Sequence, residues 1–283
     1  MEKIDLPHGT VSYRAAGPED AASPPVVFVH GFLVDGSLWS GVADLLAAKG
    51  VRSYAPQWPL GAHRVPVPGA DQSPRGVARQ ILAFLEALDL TDVTLVGNDT
   101  GGALCQYAVD TDASRIGRLV LTNCDAFDTF PPFPFNVIFQ LLKGPRRLRF
   151  NLQPMKLRAF RHSPLGFGLL AREFDPAQSR AWIEPALTDA AVRSDAARFL
   201  QAVDPRELND VATRLAAFRG PVRLVWGTAD RAFKPALGRR LAEAFGGAEF
   251  VEVPGARTFV PLDAPQALAD QIAGIATSSK EQA

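Results

Sequence analysis

The chain has 283 residues, of which 47% are hydrophobic, and its 30 basic side chains balance 30 acidic ones. Zero formal charge gives no electrostatic reason to bind nucleic acid, and the apolar fraction is ample for a buried core. Two cysteines, Cys105 and Cys124, are too few for a disulfide framework, so a reducing, cytoplasmic setting is expected.

The first residues, Met1–Asp5, lack the apolar core of a signal peptide, and no apolar run matches a membrane span. Ile4–Leu6 and Thr10–Arg14 read as a hairpin around Pro7-His8-Gly9. Six short, β-branched runs then have the character of buried parallel strands: Val26–Val29, Val51–Tyr54, Val93–Val96, Leu119–Thr122, Val222–Trp226 and Phe250–Val253. Amphipathic stretches alternate with them. Leu38–Ala48 is one; a second opens at Ser73 with Pro74 in its first position and carries Val77, Ile81, Phe84, Leu85 and Leu88 on one face. A third follows Gly101, and a fourth starts near Asp263. This alternation predicts an α/β fold, a mostly parallel sheet flanked by helices.

The alternation breaks after Leu119–Thr122. Residues 128–212 hold no convincing strand and begin with the cluster Phe130-Pro131-Pro132-Phe133-Pro134-Phe135. They are expected to form an inserted helical cap over a core made of 1–127 and 213–283. From Thr277 a frayed tail is expected.

Val93 to Ala103 reads as strand, sharp turn, helix, and Gly97-x-Asp99-x-Gly101 has the spacing of a nucleophile elbow with aspartate in the place of serine. An aspartate lifted there, beside a helix N-terminus that favours negative charge, is already ionised and needs no base to become a nucleophile. Asp99 is therefore the leading catalytic candidate.

Together with Val26-Val27-Phe28-Val29-His30-Gly31-Phe32 and Leu224-Val225-Trp226-Gly227-Thr228-Ala229-Asp230, this pattern resembles the α/β-hydrolase superfamily. Within it, aspartate in the elbow is typical of haloalkane dehalogenases and epoxide hydrolases. The resemblance implies an α/β-hydrolase fold, backbone N–H groups of Phe32 and Thr100 as the oxyanion hole, and Asp230 as triad acid. Asp125 falls where some dehalogenases place that acid, so both stay open. The resemblance also implies a carboxylate that attacks carbon, and an ester hydrolysed by histidine-activated water.

The histidine departs from the pattern. Thr258 stands where it is expected, and no histidine follows His162. Threonine cannot accept a proton near neutral pH, and a positioned general base is worth roughly 10²–10⁴-fold in rate. His63, just past a strand's C-terminal end, is the candidate replacement base, with a loop histidine facing solvent as the plainer alternative. His30, Phe130, Phe133, Phe135 and Thr258 are candidate substrate contacts.

The stretch from Lys143 to Arg161 is basic without any acidic residue, which reads as a solvated face or as a surface for an anionic substrate or membrane. No metal-ligand spacing and no phosphate-binding loop are found, so no cofactor is expected. The expected activity is hydrolysis of a small, largely apolar molecule through Asp99. Acid/base chemistry at Asp99 (lyase, isomerase or cyclase) and a ligand-binding role without turnover remain alternatives. The expected partner is a small-molecule substrate, with a homodimer left open.

Overall fold

Strand-forming runs that are apolar on both faces can only be satisfied in the middle of a sheet covered on both sides. A computed structural model describes residues 1–276; the tail expected from Thr277 lies outside them. Strands β1 (Glu2–Leu6) and β2 (Gly9–Ala16) make the expected hairpin. They are followed by β3 (Val26–Val29), β4 (Ser53–Pro56), β5 (Val93–Asp99), β6 (Ile116–Cys124), β7 (Val222–Gly227) and β8 (Glu249–Val253). Among the described residues these eight form one sheet in the order β1-β2-β4-β3-β5-β6-β7-β8. The pairs β1/β2 and β2/β4 are antiparallel and all later pairs parallel. β3 and β6 are buried along their whole length.

β4 begins two residues later than the sequence suggests. The N–H of Val51 donates to Leu46 O and closes the preceding helix instead of joining the sheet.

Helices α1 (Ser40–Ala48), α2 (Pro74–Ala87) and α3 (Thr100–Thr111) connect the strands up to β6. Ser73 caps α2 by accepting from Gly76 N, and Pro74 occupies its first turn, where a missing N–H costs nothing. Between β6 and β7 lie α4 (Phe135–Leu142), α5 (Pro145–Asn151), α6 (Arg158–Arg161), α7 (Pro176–Thr188), α8 (Ala190–Ala202) and α9 (Pro205–Ala212). Only a bridge between Ala126 and Thr129 interrupts this helical insertion among the described residues. The chain closes with α10 (Pro235–Ala244), the single turn α11 (Val260–Asp263) and α12 (Pro265–Ala276).

The strand order changes direction between β3 and β5, because β4 lies on one side of β3 and β5 on the other. Open α/β sheets bind ligands at the carboxyl ends of strands flanking such a switch point. Here those ends are His30–Phe32 and Asp99.

Candidate active site

β5 ends at Asp99 and α3 begins at Thr100, so there is no loop to absorb the change of direction. Asp99 takes up the turn itself, with φ 56° and ψ −132°. A residue with a side chain held there costs roughly 1–3 kcal/mol, and the packing around it must supply the compensation. That packing is tight. A Cβ on Gly31 would collide with the Asp99 carboxylate, and one on Gly101 would collide with the carbonyl oxygen of Val29. Only glycine at these two places lets the β3 loop and the start of α3 close around the carboxyl group.

Asp99 and Thr100 form the floor of a cavity of about 290 Å³. Phe32 and Leu33 from the β3 loop line its side, and the insertion supplies the roof, including Phe135, Phe139, Leu152, Met155 and Phe167. The wall is almost wholly apolar. Its remaining polar residue, Asn151, spends its amide on the carbonyl oxygens of Leu141 and Arg147. Among the described residues, Asp99 is the only ionisable side chain in this wall.

The Asp99 side chain stays partly accessible through the cavity while protein surrounds it on every other side. Burial pushes its pKa up to about 7; the Thr100 N–H pulls it down, and the negative charge of Asp230 pushes it up again. Asp125 follows β6 directly and donates its N–H to Asp99 O at 3.4 Å. Its carboxyl is fully buried, and neither oxygen has a hydrogen-bond partner of good geometry. Burial, then the charge of Asp99, push Asp125 well above the usual carboxylate range, with the Thr100 hydroxyl drawing it partly back. Its surroundings therefore favour the protonated form.

Asp230 is held differently. Its Oδ2 accepts from Asn123 Nδ2 and Thr258 Oγ1, both at 2.8 Å, and its Oδ1 accepts from the N–H groups of Ala232 and Phe233 at 2.7 and 3.1 Å. Burial still raises it to about 6 against those bonds. Thr258 is itself fixed, because its carbonyl oxygen accepts from Asn98 Nδ2 at 2.7 Å.

Several residues expected at the site lie elsewhere. His63 is buried, with Nε2 3.2 Å from Asp195 Oδ2 on α8 and Nδ1 accepting from Gly61 N. It does not line the cavity above Asp99, so its expected role as base is corrected: it ties the β4 loop to the insertion. His30 is not a substrate contact either. Its Nε2 accepts from Trp58 N at 2.9 Å, so Nδ1 carries the proton toward Gly31 O. Burial depresses it to about 4, and the neutral ring braces the β3 loop. Phe130 is buried and does not line the cavity, and Phe133 is 74% exposed; of the three phenylalanines expected there, only Phe135 lines it. Thr258 is buried against Asp230 and is not part of the wall.

Sequence reading missed Asn98, Asn123 and Asp195. Asparagines near the carboxyl ends of two buried, mostly apolar strands were a usable signal, since a buried amide needs partners. Asp195, in an ordinary amphipathic helix, gave none.

The profile described as "Alpha/beta hydrolase family" matches residues 26–271. A 2-hydroxy-6-oxononadienedioate/2-hydroxy-6-oxononatrienedioate hydrolase of Paraburkholderia xenovorans is 28% identical over 179 residues, 61% of this chain and 57% of that protein. A haloalkane dehalogenase of Mesorhizobium japonicum is 35% identical over 114 residues, 40% of this chain and 35% of that protein. The aligned stretches thus span less than two thirds of either relative. The solved structure of a haloalkane dehalogenase from Bradyrhizobium elkani superposes with a TM-score of 0.79 at 20% identity, covering 98% of this chain and 99% of that one. That likeness is one of fold.

Proposed function

The chain belongs to the alpha/beta hydrolase family, and from that membership we propose that it is a hydrolase-type enzyme acting through Asp99 on a small, largely apolar substrate. One observation carries the reading: a single carboxyl group, set on a strained turn at the switch point, faces an otherwise apolar cavity. The insertion acts as its cap. An ionised Asp99 oxygen attacks an electrophilic carbon and forms an ester, while the leaving group departs with the bonding electrons. When water attacks that ester, the N–H groups of Phe32 and Thr100 hold the carbonyl oxygen on which charge develops.

The second half of such a reaction needs a base for water, and Thr258 supplies none. Asp125 is fully buried and does not line the cavity, and Asp230 is engaged by Thr258, so no side chain of the wall replaces that base and hydrolysis of the ester is expected to be slow. Asp99→Asn or Asp99→Ala should abolish turnover; unaltered turnover would overturn the reading.

A second reading is favoured by the same carboxyl. With a pKa near 7 and no imidazole beside it, Asp99 is poised as a general acid/base for a lyase, isomerase or cyclase reaction. Intact-protein mass spectrometry after exposure to candidate substrates separates the two. A covalent adduct on Asp99 supports nucleophilic attack, whereas turnover without any adduct, even in rapidly quenched samples, supports proton transfer.

A further inference from the structure

The large apolar side chains left in solvent are not spread over the molecule. Among the described residues, all but Met1 fall within one stretch of the insertion: Phe133, Val137, Leu141, Phe150, Leu157 and Leu165, exposed by 56% to 78%. Monomeric proteins rarely concentrate such groups without a partner to cover them. The same stretch, residues 129–172, contains eight of the chain's basic residues and none of its acidic ones. Arg146, Arg147, Arg149, Lys156 and Arg158 are exposed, and no basic residue of the stretch makes an ion pair among the described residues. Because the whole chain is neutral, the residues outside 129–172 carry a net negative charge, and this stretch is the cationic part of the sequence.

The patch is also the mouth of the cavity. Leu141, Pro154 and Leu165 are exposed and at the same time line it, with Phe150 and Leu157 a few residues to either side of Pro154.

We propose that this face of the insertion docks on an anionic lipid surface, so that an apolar substrate passes from the acyl layer into the cavity without crossing water. The protruding apolar side chains enter the interface, and the surrounding arginines and lysines meet the phosphates. No helix among the described residues is long and apolar enough to cross a membrane, so the attachment is peripheral. A second copy of the chain is a poor occupant, because a two-fold contact would set two unpaired cationic patches against each other. A nucleic acid would use the cations and leave the aliphatic side chains in water. The surface itself does not depend on what Asp99 does; only the fate of the delivered substrate rests on the function proposed above.

Co-sedimentation of the full chain with phosphatidylcholine vesicles, with and without phosphatidylglycerol, tests this. Binding is expected to the anionic vesicles, weak or no binding to the neutral ones, and loss in high salt. Arg146→Glu with Arg147→Glu should weaken binding by at least about tenfold. Phe150→Ser with Leu157→Ser should also lose it, with unchanged melting temperature. No sedimentation with anionic vesicles overturns the proposal. So does retention by the Phe150→Ser, Leu157→Ser protein, which would leave only adsorption of a cationic surface, or equal retention on double-stranded DNA that those substitutions do not affect. Asp99→Asn should bind vesicles like the unaltered chain, so failure here and failure of the Asp99 reading are told apart.

Discussion

Thr258 Oγ1 donates to Asp230 Oδ2 at 2.8 Å, so the side chain of residue 258 meets this buried carboxyl directly. Asn123 Nδ2 donates to the same oxygen, and the backbone of residue 258 is tied to Asn98. Thr258→His should therefore find Asp230 ready to orient it. If Asp99 forms an ester, the variant should hydrolyse it roughly 10²–10⁴-fold faster, measured as decay of the Asp99 adduct. The buried site has to make room for the larger ring, at a cost of about 1–3 kcal/mol in stability. A folded variant in which the adduct persists unchanged would show that residue 258 is not placed to activate water; one that loses a native activity would exclude a role confined to ligand binding.

Nucleophilic attack needs the ionised form of Asp99, and burial holds that group at about 7. kcat/KM should then rise as pH rises through neutrality and level off above it. The midpoint belongs to the cluster of Asp99, Asp125 and Asp230 rather than to one carboxyl. A profile that is flat from acid to alkaline pH would remove Asp99 from the reactive step. A bell centred near neutrality would favour its use as an acid/base.

The elements that set the site are those the residue pattern expresses most directly. Val26–Val29 and Val93–Val96 are buried on both faces, a requirement few folds meet, and Gly97-x-Asp99-x-Gly101 is a local constraint written in adjacent residues. What could not be read depends on partners far apart in the chain. His63 looked available because its loop position is ordinary, yet its ring is taken by Asp195, 132 residues later. Phe130 and Phe133 belong to one aromatic cluster, and nothing in their spacing says that one is buried and the other exposed. Residues 152–170, which roof much of the cavity, are short helical pieces and turns with no clean period to announce them.

The His63–Asp195 contact also explains how the insertion is held over the core. Asp195 Oδ2 accepts from Val67 N at 2.8 Å as well, and Oδ1 accepts from Arg198 at 2.6 Å. Burial works against its charge, but the bonds from His63, Val67 and Arg198 more than offset this and hold it below the usual carboxylate range. Asp195→Ala removes all three and leaves buried donors unpaired, a change that typically costs roughly 3–5 kcal/mol. A fall in melting temperature with faster proteolysis within the insertion is expected. An unchanged melting temperature would mean that the insertion is held by its apolar contacts alone.

Keeping a carboxylate in an apolar cavity opposes stability, and the opposition has a definite pH window. The folded-state pKa of Asp99, about 7, lies above its unfolded value of 3.8, so the folded chain binds the proton more tightly. The stabilisation this gives is complete below about 3.8 and is lost as pH rises through about 7, amounting to on the order of 4 kcal/mol at most. Asp99→Asn keeps the shape and cannot ionise. Its melting temperature should therefore exceed that of the unaltered chain at pH 8, with the gap closing toward pH 4. An inactive variant that is also more stable at alkaline pH is the signature of a site strained for function. A gap that does not change with pH would show that Asp99 is better solvated than its surroundings imply, and would weaken the case for its perturbed acidity.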